Sequence, residues 1–452
     1  MRRISRIVIL CLGGWLAVTT AVAAGAPRDA HVLLMVWDGL RPDLINTEDT
    51  PNLANLRARG VDFSDHHSTY PTLTMTNASS FATGAYPGTH GFDGNWIWVP
   101  QAKGRDSTDR VVDFLQPVFT EDYAILRAID AAQGGRLFVV PTLFEVAERA
   151  GLRVAALGKG GPTFLQNRRG GTPLLDDRTA LPLDFSQALA KAALPLPRLW
   201  RNAYPADLPV TPGQRADPTA NGRTPVMKDG VTSDPSKADA APYAASTAYH
   251  ARVLNEYVLP NLRPQLAMLW LRNPDSTEHS FGPGSSATRQ ALRATDALLG
   301  SVLSRLDELE LRQLTNILVV SDHAHSHVSG PLQQFPLRAI NDGVLGKVDA
   351  AGFATSGEVR TVDLMQRAGL LAYDGQRAQC NPIMSGIAAD GQSIYLHRQI
   401  DAQFACKPGV ELTGEFVVPG MPPASEPYAI VATNGGSEYL YIPSHDRAFM
   451  TK

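Results

Sequence analysis

Three short apolar runs punctuate the chain, and each ends in an acidic residue: HVLLMVWDG at 31–39, LAMLWLRNPD at 266–275 and NILVVSD at 316–322. Unbroken apolar runs with polar carboxyl ends predict buried parallel strands, apolar on both faces. LRVAALG at 152–158 predicts a fourth strand. The helical period appears between them. PTLFEVAERAG at 141–151 predicts an amphipathic helix stopped by glycine, and SATRQALRATDALLGSVLSRLDEL at 286–309 a longer one. This strand–helix rhythm predicts an α/β fold, doubly wound, with a mostly parallel central sheet flanked by helices and carrying irregular insertions. In such sheets ligands gather outside the carboxyl ends of the strands, which is where Asp38, Asp275 and Asp322 fall. One such aspartate would suggest only a turn or a helix cap. Three in equivalent positions predict a site.

Composition adds limits. The chain has 452 residues, 44% hydrophobic and 19% charged, with a formal net charge of −3, so it has globular character and no basic field for a nucleic-acid duplex. Three arginines precede an apolar run ending in small residues, MRRISRIVILCLGGWLAVTTAVAAGAP. This layout predicts a signal peptide over 1–24, cleaved after Ala23 or Ala24, with a periplasmic or secreted product over 25–452; the alternative is an uncleaved anchor. Export would leave Cys380 and Cys406 free to pair as a disulfide. Residues 194–243, rich in Pro, Asp, Gly and Thr, predict a long irregular insertion. A second insert, over the site, is expected at about 331–440.

The chemistry begins at YPTLTMTN, residues 70–77, where threonines alternate at 72, 74 and 76. MTNASSFATG predicts a helix ending at Gly84, so Thr74 stands at its start, where free N–H groups favour an anion. No histidine base adjoins it. DSTEH spaces Asp275 and His279 four apart, on one helical face, and SDHAH sets Asp322 beside His323. Oxygen and nitrogen donors without thiolates suit Zn²⁺, and two such ions could activate a threonine hydroxyl without a histidine base.

Taken in order, DGLRPD (38–43), TPNLANLRARG (50–60), YPTLTMTN, TGAYPGTHGFDGN (83–95), DSTEHSFGP (275–283) and SDH (321–323) resemble the nucleotide pyrophosphatase/phosphodiesterase family of the alkaline phosphatase superfamily, over about residues 30–330. The resemblance implies two zinc ions, one held by Asp38, Asp322, His323 and Thr74, the other by Asp275, His279 and a further histidine near the C-terminus. It implies that Thr74 attacks phosphorus to give a phosphothreonine, and that Asn95 and the Thr74 backbone N–H stabilise a phosphoryl oxygen. The substrate would be a small phosphodiester or nucleotide.

Two departures bear on that expectation. Ala324 stands where the family pattern has glycine. No histidine after His323 sits in the expected setting, which leaves His325, His327, His397 and His445 as candidates. The expectation is a chain truncated within a C-terminal helix (HDRAFMTK, capped by Ser444), its last ligand lost and one zinc site incomplete. A phosphomonoesterase is the alternative, although no Lys or Arg occurs from Val61 to Ala102 to meet a dianion. A catalytically impaired phosphate- or metal-binding homologue is another. The resemblance also disfavours a sulfatase, since sulfatases of the superfamily need a Cys or Ser nucleophile motif and Thr74-Met75-Thr76-Asn77 offers neither. Trp96 and Trp98 could flank an aromatic leaving group or simply pack.

Overall fold

The computed structural model describes residues 30–326 except 93, 108–110, 113, 115–116, 169–170, 178 and 195–243; beyond them it describes 361, 365, 368–374, 383–387, 393–400, 406–413, 427–434 and 437–452. The expected signal peptide, nearly all of the 194–243 insertion, Cys380, His327 and much of 331–440 lie outside the described residues.

The strands are β1 (His31–Trp37), β2 (Trp96–Ile97), β3 (Val118–Phe119), β4 (Val154–Gly158), β5 (Leu174–Leu175), β6 (Ala180–Leu181), β7 (Leu266–Leu271) and β8 (Thr315–Val320). Six of them form one sheet in the order β6-β5-β4-β7-β1-β8. Pairing is parallel throughout except between β5 and β6. The doubly wound arrangement therefore stands, with the sequence-predicted strands β4, β7, β1 and β8 as four neighbours.

Alternation along β1 and β7 supplies both faces. Leu33, Met35, Trp37, Ala267, Leu269 and Leu271 join one core, packed by Leu254, Leu292 and Leu299. Val36, Leu266, Met268 and Trp270 join the other, packed by Met75, Ala78, Phe144 and Leu165. Side chains from helices Ser286–Glu308 and Thr74–Thr83 thus lie on opposite faces, as two-sided burial of a parallel sheet requires. Helix Leu143–Arg149 starts at a reciprocal cap, Thr142 with Glu145, in the segment where the apolar period predicts it.

Two expectations are corrected. NILVV was expected to be fully buried, but β8 is the edge of the sheet among the described residues, and Leu318 remains 44% exposed. The C-terminal helix is only Arg447–Met450, and its cap is Asp446, whose side chain accepts from the Phe449 N–H at 2.7 Å; Ser444 lies outside the helix.

Farther along, Ala429–Asn434 pairs antiparallel with Ser437–Tyr441 and parallel with Ala372–Asp374. The side chain of Asn434 clamps β2, accepting from Trp96 N–H at 2.9 Å and donating to Trp96 O at 3.1 Å.

The sheet geometry ranks two leucines. Leu269→Ala opens a cavity under a fully buried strand and should cost about 3 kcal/mol, whereas Leu318→Ala on the edge should cost about 0.5 kcal/mol. Urea unfolding followed by tryptophan fluorescence measures both; equal costs would contradict the edge position of β8.

Candidate active site and metal centre

Four neighbouring parallel strands each deliver a charged group at their carboxyl ends. Lys159 follows β4, Asp275 follows the turn after β7, Asp38 follows β1 and Asp322 follows β8. Two glycines permit the convergence. Gly158 has φ +128°, and a Cβ there would meet Trp270 O at 2.1 Å, so only glycine lets the chain turn Lys159 inward. Gly39 has φ +76°, and a Cβ there would meet Asp275 Cα at 2.8 Å. The same closeness lets Asp275 N–H donate to Asp38 O at 2.8 Å.

Thr74 is the first residue of its helix and is buried. Leu73 occupies the cap position without a side-chain bond. Asn77 anchors the approach instead, accepting from Thr69 N–H at 2.7 Å and donating to Leu73 O at 3.1 Å. Thr74 Oγ1 lies 3.1 Å from His323 Nε2 and 3.3 Å from Lys159 Nζ. Thr72 is exposed and Thr76 is buried as the third residue of the helix, so Thr74 is the threonine of the three shown against the strand-end cluster. Asn95 Oδ1 accepts from Met75 N–H at 2.9 Å, which fixes the amide beside the helix start and leaves Nδ2 as its donor. The Thr74 N–H, in the first turn, has no intrahelical acceptor.

Two groups of three donors gather among the described residues, sharing His323, and the expected His279 is in neither. Asp38, Asp322 and His323 bring donor atoms within 4.8 Å of one another, as do Asp275, His323 and His325. His279 meets Asp275 Oδ1 at 3.2 Å from the half-exposed rim. His325, a plausible polar loop residue by sequence, lies 2.9 Å from the same Asp275 oxygen. His445 is exposed on its terminal turn, and the side chain of His397 lies outside the described residues.

Cations fit these groups on the structure's own terms. Asp38 Oδ1, Asp322 Oδ2 and both Glu278 oxygens are buried with no hydrogen-bond partner. Burial, then the charge of Asp38, pushes the Asp322 carboxyl up to about 7. Burial, then Asp275, pushes Glu278 up to about 8. Burial would raise Asp275 as well, but Lys159 and His279 outweigh it and hold Asp275 well below the usual carboxylate range. Burial works against a charged His323, yet Asp322, Asp275 and Asp38 together raise its pKa. Orphaned carboxylates that resist ionisation beside basic histidines are what a dication neutralises.

Lys159 is the main residue the motifs miss. Its ammonium reaches Asp38 Oδ2 at 2.9 Å, Glu121 Oε1 at 3.1 Å and Asp275 Oδ2 at 3.8 Å. Burial would lower its pKa, but those three carboxylates raise it above the ordinary lysine value, so it is a fixed cation. Its signal was available: it directly follows the apolar run LRVAALG, in the strand-end position already used for the aspartates. Glu278 and Trp270, whose Nε1 donates to Asp38 Oδ2 at 2.7 Å, carried no comparable signal. Trp96 stacks obliquely on Phe119 with centroids 5.1 Å apart, and Trp98 meets Tyr441 edge-on at 5.8 Å, so both pack.

Similarity to known proteins covers the stretch that carries this site. The family described as type I phosphodiesterase / nucleotide pyrophosphatase matches residues 32–379. Ectonucleotide pyrophosphatase/phosphodiesterase family member 1 of Homo sapiens is 41% identical over 61 residues, covering 14% of this chain and 7% of that protein. Venom phosphodiesterase of Naja atra is 31% identical over 91 residues, 19% of this chain and 11% of the relative. Ectonucleotide pyrophosphatase/phosphodiesterase family member 3 of Mus musculus is 23% identical over 304 residues, 66% of this chain and 25% of the relative. The matches thus span a quarter or less of these relatives' lengths. With the family matched across most of its length and metal-suited donor groups gathered at one sheet edge, the chain belongs to the metal-dependent type I phosphodiesterase / nucleotide pyrophosphatase family of the alkaline phosphatase superfamily.

Proposed function

We propose that this chain is an exported, zinc-dependent phosphodiesterase or nucleotide pyrophosphatase that works through a phosphothreonine at Thr74. The observation that carries the reading is the position of Thr74 Oγ1, 3.1 Å from His323 Nε2 and 3.3 Å from Lys159 Nζ, at the start of a buried helix. Asp38, Asp322, His323 and Thr74 would hold one ion, and Asp275 and His279 the other. The bound ions would supply positive charge that eases deprotonation of Thr74 and offsets charge on the phosphoryl oxygens.

The chain's own residues carry the rest. Thr74 Oγ forms a bond to phosphorus as the bond from phosphorus to the leaving oxygen breaks; water then cleaves the Thr74 ester and restores the hydroxyl. Asn95 Nδ2 and the Thr74 N–H supply preorganised donors for a phosphoryl oxygen. Lys159, held protonated, favours the ionised form of Thr74 and cannot act as its base. Export is supported by the arginine-led apolar run ending in small residues. The names of the relatives support a nucleotide or related small diester as substrate.

A phosphomonoesterase is the second reading, raised by the ammonium of Lys159 beside Thr74, the kind of group that would suit a dianionic ester if its charge were not already taken up by carboxylates. Hydrolysis of bis- and mono-p-nitrophenyl phosphate decides between them. The diester should show the higher kcat/KM. Thr74→Ala should lower kcat by at least ~10³-fold and Asn95→Ala by ~10²-fold, and mass spectrometry of acid-quenched enzyme should find the phosphoryl group on Thr74. Wild-type turnover of neither ester would leave the phosphate- or metal-binding homologue.

Lys159→Gln separates the readings from the other side. A lysine that reads dianion charge should cost the monoester ~10²-fold in kcat/KM and the diester much less; equal losses for both esters eliminate that role.

The carboxylates generate a pH prediction for metal-stripped protein. Asp322 and Glu278 have folded-state values raised to about 7 and about 8, so between their ordinary values and those the folded protein holds more protons than the unfolded chain. Stability from them is present at low pH and is lost as pH rises. The raised His279 and His323 act in the same direction. The buried His90 and His250, whose pKa values are lowered by desolvation, oppose this below about pH 6.5, so thermal unfolding in chelator should show a Tm that falls from about pH 6.5 to about pH 8; a Tm that rises over that interval would refute the assignment.

A further inference from the structure

The resemblance assigns the last ligand of the Asp275 site to a distant C-terminal histidine, but this chain offers one much nearer. The segment Asp322-His323-Ala324-His325 leaves the end of β8 in non-helical backbone, and both histidines return toward the sheet edge. His325 Nε2 lies 2.9 Å from Asp275 Oδ1, the oxygen that also faces His279 Nε2 at 3.2 Å. Its ring meets that of His279 edge-on, with centroids 4.7 Å apart and planes at 87°. Arg41 Nη1 donates to His325 O at 3.2 Å and so fixes the backbone behind the ring. Glu278 lies beyond it, with Oε2 4.0 Å from His325 Nε2, its side chain fully buried and neither oxygen hydrogen-bonded.

These spacings have the dimensions of a coordination shell. Four donors at about 2.0–2.1 Å from a tetrahedral zinc stand about 3.3 Å from one another. Contacts of 2.9, 3.2 and 4.0 Å around Asp275 and His325 bracket that edge. The neighbouring group behaves alike, with His323 Nε2 3.1 Å from Thr74 Oγ1, 3.4 Å from Asp322 Oδ2 and 3.6 Å from Asp38 Oδ1.

We propose that His325 is the third ligand of the Asp275–His279 site and that the buried Glu278 carboxylate is its fourth protein group, so that residues 38–325 by themselves hold two divalent cations. The inference rests on the two-metal reading above and replaces only the distant histidine. A polar loop histidine would have no reason to share an oxygen with His279, and Glu278 would have no reason to be buried without a donor.

Stoichiometry tests it without reference to turnover. Full-length protein is stripped with chelator and titrated with Zn²⁺ by calorimetry against a competing chelator, and with Co²⁺ by visible absorption. Wild type should bind two equivalents. His325→Ala should bind one tightly, with the second weakened ~100-fold or lost and the tetrahedral Co²⁺ absorption reduced by about half. Glu278→Gln should keep two equivalents with the second weakened ~10-fold. His445→Ala, on the exposed terminal turn, should match wild type. Circular dichroism of the metal-free proteins checks folding, and His325→Gln serves if the alanine variant does not fold. Two equivalents at unchanged affinity in both His325 variants would overturn the proposal and leave the two-metal reading standing. Less than one equivalent in wild type, with His279→Ala no different, would overturn the two-metal reading itself.

Discussion

Negative charge buried at the carboxyl edge of the sheet is the constraint to which everything else answers. Asp38, Asp275, Asp322, Glu278 and Glu121 are all buried, and the donor atoms of Asp38 and Asp322 lie within 4.8 Å of each other. Like charges about 4 Å apart repel by about 4 kcal/mol at an effective dielectric constant of about 20, before any desolvation cost. Lys159, with Arg272 divided between Glu121 and Asp177, cannot neutralise five carboxylates. The protein meets the excess by raising Asp322 and Glu278 toward neutrality, and a folded site held that way is poised to exchange protons for dications.

The parallel sheet makes this concentration of charge affordable in geometric terms. Parallel strands all end at the same edge, so four short runs far apart in the chain reach one small volume without a long loop. The cores on the two faces hold that edge rigid. Met75 and Ala78 lock the helix that begins at Thr74 to the face that contains Trp270, and Trp270 in turn bonds Asp38. Apolar packing thus fixes the distance between the hydroxyl and the carboxylates, a link from core to chemistry that runs through single side chains.

Much of this was legible in the sequence, for a physical reason: apolar runs report two-sided burial, and a polar residue closing such a run has only the sheet edge to occupy. Asp38, Asp275 and Asp322 follow from that rule. Lys159 follows from it too, because β4 was visible as LRVAALG, but a lysine after a strand ordinarily signals solvent. Its burial comes from Glu121, which arrives from an irregular segment with no periodic signature. His325 was legible as a residue and not as a position, since the extended backbone after Asp322 could turn it either way; its contacts with Asp275, Arg41 and the His279 ring fix it. The clamp by Asn434 on Trp96 joins residues 338 apart in sequence and had no local pattern at all. For β8 the error was of another kind. NILVV has the composition of an interior strand, while the described residues leave it at the edge.

Lys159 also bears on which ester the site prefers. Its ammonium already bonds Asp38 Oδ2 and Glu121 Oε1, with Asp275 Oδ2 at 3.8 Å. With Trp270 it occupies Asp38 Oδ2, which leaves Oδ1 facing His323 and the Asp322 group, so part of its work is to orient a ligand. Three carboxylates surround Lys159, and Arg272, which shares Glu121 at 3.8 Å, is itself paired with Asp177, so the cluster leaves no positive surplus for a substrate dianion, and the contact of Lys159 with Thr74 Oγ1 is directed at that hydroxyl. In the proposed two-metal reading, charge neutralisation of the phosphoryl group would fall mainly to bound dications, which would leave less residual charge to offset for a monoanionic diester than for a dianionic monoester. That balance, and not the presence of a lysine as such, is why the diesterase reading stands ahead of the monoesterase one.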